Sequence, residues 1–120
     1  MTTSIFFFLG LSFMTIHEMD AIRCREWRIF PGLSLLNDKL GYIIFTFAHI
    51  PLFFCIYWQL THTENKEAFR KGFDIFMIVH LFLHLLFLKH KNNEFKDWIS
   101  WSIIIAAGIC GMLDLIISNN

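Results

Sequence analysis

Proline and glycine are scarce in this chain of 120 residues, which holds two of the first and six of the second. They cluster nowhere, so no low-complexity linker divides the sequence, and residues 1–120 read as one domain. Cysteine is equally thin. Cys24, Cys55 and Cys110 are odd in number and far apart, which excludes a disulfide framework and a CxxC metal pair. Charge of one sign is also missing, because 10 basic residues offset 10 acidic ones at a formal net charge of +0. That leaves no basic field for nucleic acid and no acidic tail. No internal repeat is present.

Apolar side chains are abundant instead. They make up 56% of the chain, Phe alone occurs 15 times, and mean hydropathy is +0.54. A soluble domain of this length has no core large enough to hold them, so lipid is the expected solvent. The first apolar segment starts near Thr3 and carries Phe6, Phe7, Phe8, Leu9, Leu11 and Phe13. No Lys or Arg precedes it and no small-x-small site follows, so it reads as a retained helix rather than a signal peptide. It is expected to run on into the charged stretch around Arg23, with Trp27 and Arg28 as interface anchors and Pro31-Gly32 as the stop. Asn37 or Asp38 suits the cap of a second helix. Within that helix, Pro51 frees the Phe47 carbonyl and predicts a kink near His49. Thr61 and Glu64 have capping-box spacing before a third helix, which begins amphipathic and turns apolar from Phe73 to Leu88. Asn92-Asn93 breaks the chain, and Trp98 and Trp101 form an aromatic belt at the start of a fourth.

The expected fold is therefore all-α, a four-helix transmembrane bundle with helices over about 3–26, 38–60, 64–90 and 94–118. Each apolar span is about 16 to 20 residues, enough to cross about 30 Å of hydrocarbon. Short loops make consecutive helices antiparallel neighbours in up-down order. Ala107, Gly111 and Asp114 share a face whose small residues allow close docking of a second copy or a membrane partner. Lys66, Arg70 and Lys71 lie on the side that holds both termini. Arg23, Arg25, Arg28, Lys39, Lys89, Lys91 and Lys96 lie on the other. That bias puts the second side in the cytoplasm, as in a bacterial inner membrane, and both termini outside.

Polar residues inside a span are costly and ask for a reason. His17 falls at the end of the first helix. At about 1.5 Å per residue, His49 lies roughly 12 Å deep, His84 roughly 9 Å and His80 roughly 15 Å, all counted from the same side. Three helices thus bring histidines into one half of the membrane. His80 and His84 share a helical face at i and i+4, a spacing that suits one metal ion. With His17 and His49 they form the expected ligand set. Glu18 is the candidate general base, and Asp20 and Glu26 are further carboxylates at the same level. Asp74 and Asp114 match each other in depth and stand apart from this group.

The stretch HEMDAIRCREWRIFP, followed by FTFAHIPLFF, resembles a family of small uncharacterised bacterial membrane proteins with a THExDA…EWR motif in helix one and HxP in helix two. His17, Glu18, Asp20, Ala21, Glu26, Trp27, Arg28, His49 and Pro51 carry the match, and Ile16 stands where the motif has Thr. A more distant likeness is to HXXEE-type membrane proteins. The resemblance implies four helices, singles out His17, Glu18, Glu26 and His49, and brings no activity with it.

Three functional readings follow. The first is a Zn, Mn or Fe site that would serve hydrolysis of a lipid or other amphiphile. The second is a non-catalytic membrane subunit or assembly factor, in which the histidines are interhelical hydrogen bonds. The third is a b-type haem protein with His49 and His80 or His84 as axial ligands. A proton carrier is less well supported, since no continuous polar path joins the two sides.

Overall fold

A computed structural model describes residues 5–120. Four helices make up the described chain, α1 (Ile5–Arg23), α2 (Asp38–His62), α3 (Lys66–Leu86) and α4 (Trp98–Ser118), and the described residues hold no strand. The expected start of the first helix at Thr3 lies outside the described residues. α1, α2 and α4 are long and apolar enough to cross a membrane. α3 is as long, but its first half carries Lys66, Glu67, Arg70, Lys71 and Asp74.

Contacts along the helices give the up-down order. Phe7 of α1 meets Phe73 of α3, and His17 meets His80 and His84, so these two helices run the same way. Gly108 faces Leu81 and Gly111 faces Asp74 and Met77, so α4 runs against α3. α1 and α3 both pack along α4 and form a tight three-helix core. The buried stripe of α1 is Phe7, Gly10, Met14, His17 and Ala21, alternating three and four residues apart as one helical face requires. α2 stands off. It buries only Gly41, Phe45 and Ile56 and touches mainly the segment after α1.

Several ends differ from the expectation. α1 stops at Arg23, and Arg25 adopts a left-handed φ of 50°. A 3-10 turn over Glu26–Arg28 follows. Trp27 is not an interface anchor. It is buried over Gly41, where a Cβ would sit 2.6 Å from its ring, and its Nε1 donates to Asp38 at 3.1 Å. Arg28 closes the same latch on Asp38. Asn37 caps α2 by accepting from Leu40 N–H at 2.9 Å. The capping box at Thr61 and Glu64 does not form. Asn65 caps α3 through Ala68 N–H at 3.2 Å, while Thr61 Oγ1 donates back to the Tyr57 carbonyl. Asp97 caps α4 at Ser100 N–H. Ala107 and Gly111 are buried against α3, so this small-residue face is used within the chain and offers no free surface to a second copy.

Candidate metal centre and adjoining acid–base pair

The register of α1 puts His17 in the buried stripe, facing α3 and α4. On α3 the i, i+4 pair turns both rings toward it. Centroid separations are 4.5 Å to His80 and 4.9 Å to His84, each edge-to-face. His80 Nε2 and His84 Nε2 are 3.2 Å apart. The left-handed Arg25 and the 3-10 turn swing the chain back beneath α1, which carries Glu26 into the cluster. Its Oε1 lies 3.5 Å from His84 Nε2 and 3.9 Å from His17 Nε2. One donor atom from each of His17, Glu26, His80 and His84 lies within 4.8 Å of the other three.

These spacings fit an ion. Four donors at about 2.0–2.1 Å around a tetrahedral metal stand roughly 3.3 Å from one another. The shorter contacts already meet that figure, and the longer ones need a contraction that side-chain torsions supply. Burial points the same way. His17 is completely buried, yet neither ring nitrogen has a hydrogen-bond partner, and His80 Nδ1 is also shielded and unpaired. A buried unsatisfied imidazole is costly unless something else uses its lone pair. Three imidazoles and a carboxylate form a donor set suited to Zn, Fe or Mn.

Phe95 closes one wall. It stacks on His17 at 5.4 Å and meets His84 edge-on at 4.6 Å. The loop after α3 holds it there. Asn93 Oδ1 accepts from Phe95 N–H at 3.1 Å, and Trp101 Nε1 donates to the Phe95 carbonyl at 2.7 Å. Nothing in the sequence marks Phe95 beyond its place after the Asn92-Asn93 break.

The other candidates go elsewhere. His49, expected among the ligands, pairs with Glu18, with Nε2 2.5 Å from Oε2. Its Nδ1 lies 2.6 Å from the Phe45 carbonyl, one turn back on α2. A carbonyl only accepts, so Nδ1 carries a hydrogen, and a single proton then lies between Nε2 and Glu18. Wherever that proton sits, the pair is neutral overall. Glu18, the expected base, follows His17 in the chain and faces α2 instead of the cluster. Asp20 belongs to an α1–α4 clasp. It accepts from Ser100 Oγ at 2.5 Å and from Arg23 Nε at 2.7 Å, and Arg23 reaches on to Asp97 at 2.9 Å. In that clasp the Ser100 N–H is the main group holding the Asp97 carboxyl below its ordinary range, and Arg23 adds to it.

Glu18 and His49 sit on the wall of a cleft of about 250 Å³ between α1 and α2. Thr15, Glu18 and Phe53 also line a smaller cavity of about 40 Å³ that reaches α3. At the far end of the bundle, Asp74 and Asp114 are wholly buried, with Arg70 Nε 3.4 Å from Asp114 Oδ2.

No curated protein and no solved structure matches this chain. A family model matches it over residues 3–120, and the chain belongs to that family, a family of unknown function (DUF6713).

Proposed function

We propose that this is an integral membrane metalloprotein in which His17, His80, His84 and Glu26 hold one divalent transition-metal ion. The observation that carries this reading is the convergence of four donor atoms from two helices and a turn within 4.8 Å, around a His17 ring that is fully buried and unpaired. In this reading all four helices span the bilayer. The basic residues near the cluster set that end in the cytoplasm, as expected of a bacterial inner-membrane protein. A bound ion would supply Lewis acidity and a water of lowered pKa. Glu18 and His49 are the neighbouring pair that holds and moves a proton, which suits hydrolysis of an amphiphile.

The geometry argues against haem as the occupant. Two axial imidazoles must face each other across a flat macrocycle. Of the expected pair, His49 with His80 or His84, His49 has both ring nitrogens engaged, Nδ1 by the Phe45 carbonyl and Nε2 by Glu18, which leaves none for an iron. A purely structural role, with the histidines as interhelical hydrogen bonds, is less well served, because His80 and His84 contact each other within α3 and His17 has no hydrogen-bond partner.

The test is the double variant His80→Ala, His84→Ala, purified in mild detergent and compared with the wild type. The proposal expects loss of bound metal with helicity and monodispersity retained. Metal retained at the wild-type level would eliminate it.

A further inference from the structure

Asp74 of α3 and Asp114 of α4 are wholly buried at the opposite end of the bundle from the histidines, and neither the metal centre nor the Glu18–His49 pair uses them. The α3–α4 seam brings them together. A Cβ at Gly111 would stand 2.8 Å from the Asp74 carbonyl oxygen, so the two helices touch there through backbone. Asp114 follows Gly111 by three residues on the same buried face, which turns its carboxyl to that of Asp74 within hydrogen-bonding range. Arg70, one turn before Asp74, puts its Nε 3.4 Å from Asp114 Oδ2.

None of the four carboxyl oxygens accepts from an N–H or O–H of another described residue, and the Arg70 contact is an ion pair without a hydrogen bond. Buried carboxylates without donors are costly. The charges do not balance either, because two carboxylates against one guanidinium leave one negative charge. Glu67 and Lys71 at the exposed rim are 3.5 Å apart and cancel each other. Among the described residues no other cation is in ion-pair contact with either carboxyl. α1 brings Phe7 and Gly10 to this level, α2 buries only Ile56 in this half, and Cys110 is the remaining titratable group on the α4 face.

Two ionised carboxylates at this range repel each other. A single proton removes the repulsion and restores neutrality with Arg70. It also turns a contact between two acceptors into an O–H···O⁻ hydrogen bond, one of the strong kinds. Backbone contact between the helices leaves space for a proton and not for a hydrated metal cation. We propose that Asp74 and Asp114 form a proton-binding site, in which one proton is shared between the two carboxyls at neutral pH and Arg70 balances the charge that remains. Release of that proton sets two like charges against each other where α3 and α4 are closest, so the seam is tight only while the proton is bound. The site depends neither on a bound metal nor on the solvent around the helices.

The experiment is infrared spectroscopy on the full chain in dodecyl maltoside, a detergent without carbonyl groups. At neutral pH the wild type should show the carbonyl stretch of a protonated carboxyl above the amide I band. Carbon-13 in the Asp side-chain carboxyls should shift this band, which separates it from any contribution of Glu18. Asp74→Asn and Asp114→Asn should each remove the whole Asp band, since the carboxyl left behind is ionised beside Arg70. Raising the pH should abolish the band in the wild type and lower its unfolding midpoint more than that of Asp74→Asn. No Asp band in the labelled wild type at neutral pH would overturn the proposal, and that result needs no variant to fold. Half of the band surviving in each single variant would also overturn it, because each carboxyl would then carry its own proton.

Discussion

Gly111 of α4 and Gly72 of α3 offer the same substitution in opposite surroundings. A Cβ at Gly111 would lie 2.8 Å from the Asp74 carbonyl oxygen and 3.3 Å from Met77 Cβ. An ordinary carbon contact is about 3.5 Å or more. The obstructing atom is helix backbone, so relief means moving α4 off α3 by more than half an ångström (roughly) along a close-packed seam. Overpacking of this kind costs about 1–3 kcal/mol. Replacing Gly by Ala inside a helix returns about 0.5–1 kcal/mol. Gly111→Ala is therefore net destabilising by about 1 kcal/mol at mid-range and by up to about 2.5 kcal/mol. At Gly72 a Cβ meets nothing within 4 Å, so only the helical gain of about 0.5–1 kcal/mol remains. Both variants would be followed by thermal or SDS-induced unfolding in one detergent. The expected result is a lower midpoint for Gly111→Ala and an equal or higher one for Gly72→Ala. A Gly111→Ala protein as stable as the wild type would refute the α3–α4 contact.

Further outcomes follow from the same contacts. Asp38→Asn should loosen the Trp27 and Arg28 latch and let the Glu26 turn drift, which lowers metal affinity about tenfold in a chelator competition. Arg70→Met leaves Asp114 without its cation in a buried site and should destabilise by about 3–5 kcal/mol. Adding Asp114→Asn should recover part of that loss in the same unfolding assay. Burial pushes the Cys24 thiol up from its ordinary range, so N-ethylmaleimide at neutral pH should label it far more slowly in the native protein than in SDS.

The depth of the histidines was readable from the sequence because helical rise converts residue count into distance. His17, His80 and His84 do share a level and touch. Which face each helix turns inward was not readable, since rotation is set by packing between distant segments. His49 shows this. It lies at the expected depth, but α2 turns it to Glu18 and away from the cluster. Glu26 shows the complementary case. Reading residues 24–26 as more helix would carry its side chain past the cluster. The left-handed Arg25 brings it back, and no glycine or asparagine stands there to announce that turn. Trp27 looked like a membrane anchor because its partners, Gly41 and Asp38, lie more than ten residues away. The all-helical architecture follows from spans and breaks that are local in the sequence, whereas the stand-off of α2 is a tertiary property. The small residues of α4 were legible as a docking face, but their partner is α3 of the same chain.

The central claim is a bound ion at His17, Glu26, His80 and His84. Its most direct test is elemental mass spectrometry on protein purified in mild detergent without a histidine tag. The account predicts about one Zn, Mn or non-haem Fe per chain, lost in His17→Ala protein that remains helical and monodisperse. No metal in the wild type, persisting after Zn, Mn and Fe(II) are each offered back, would contradict it.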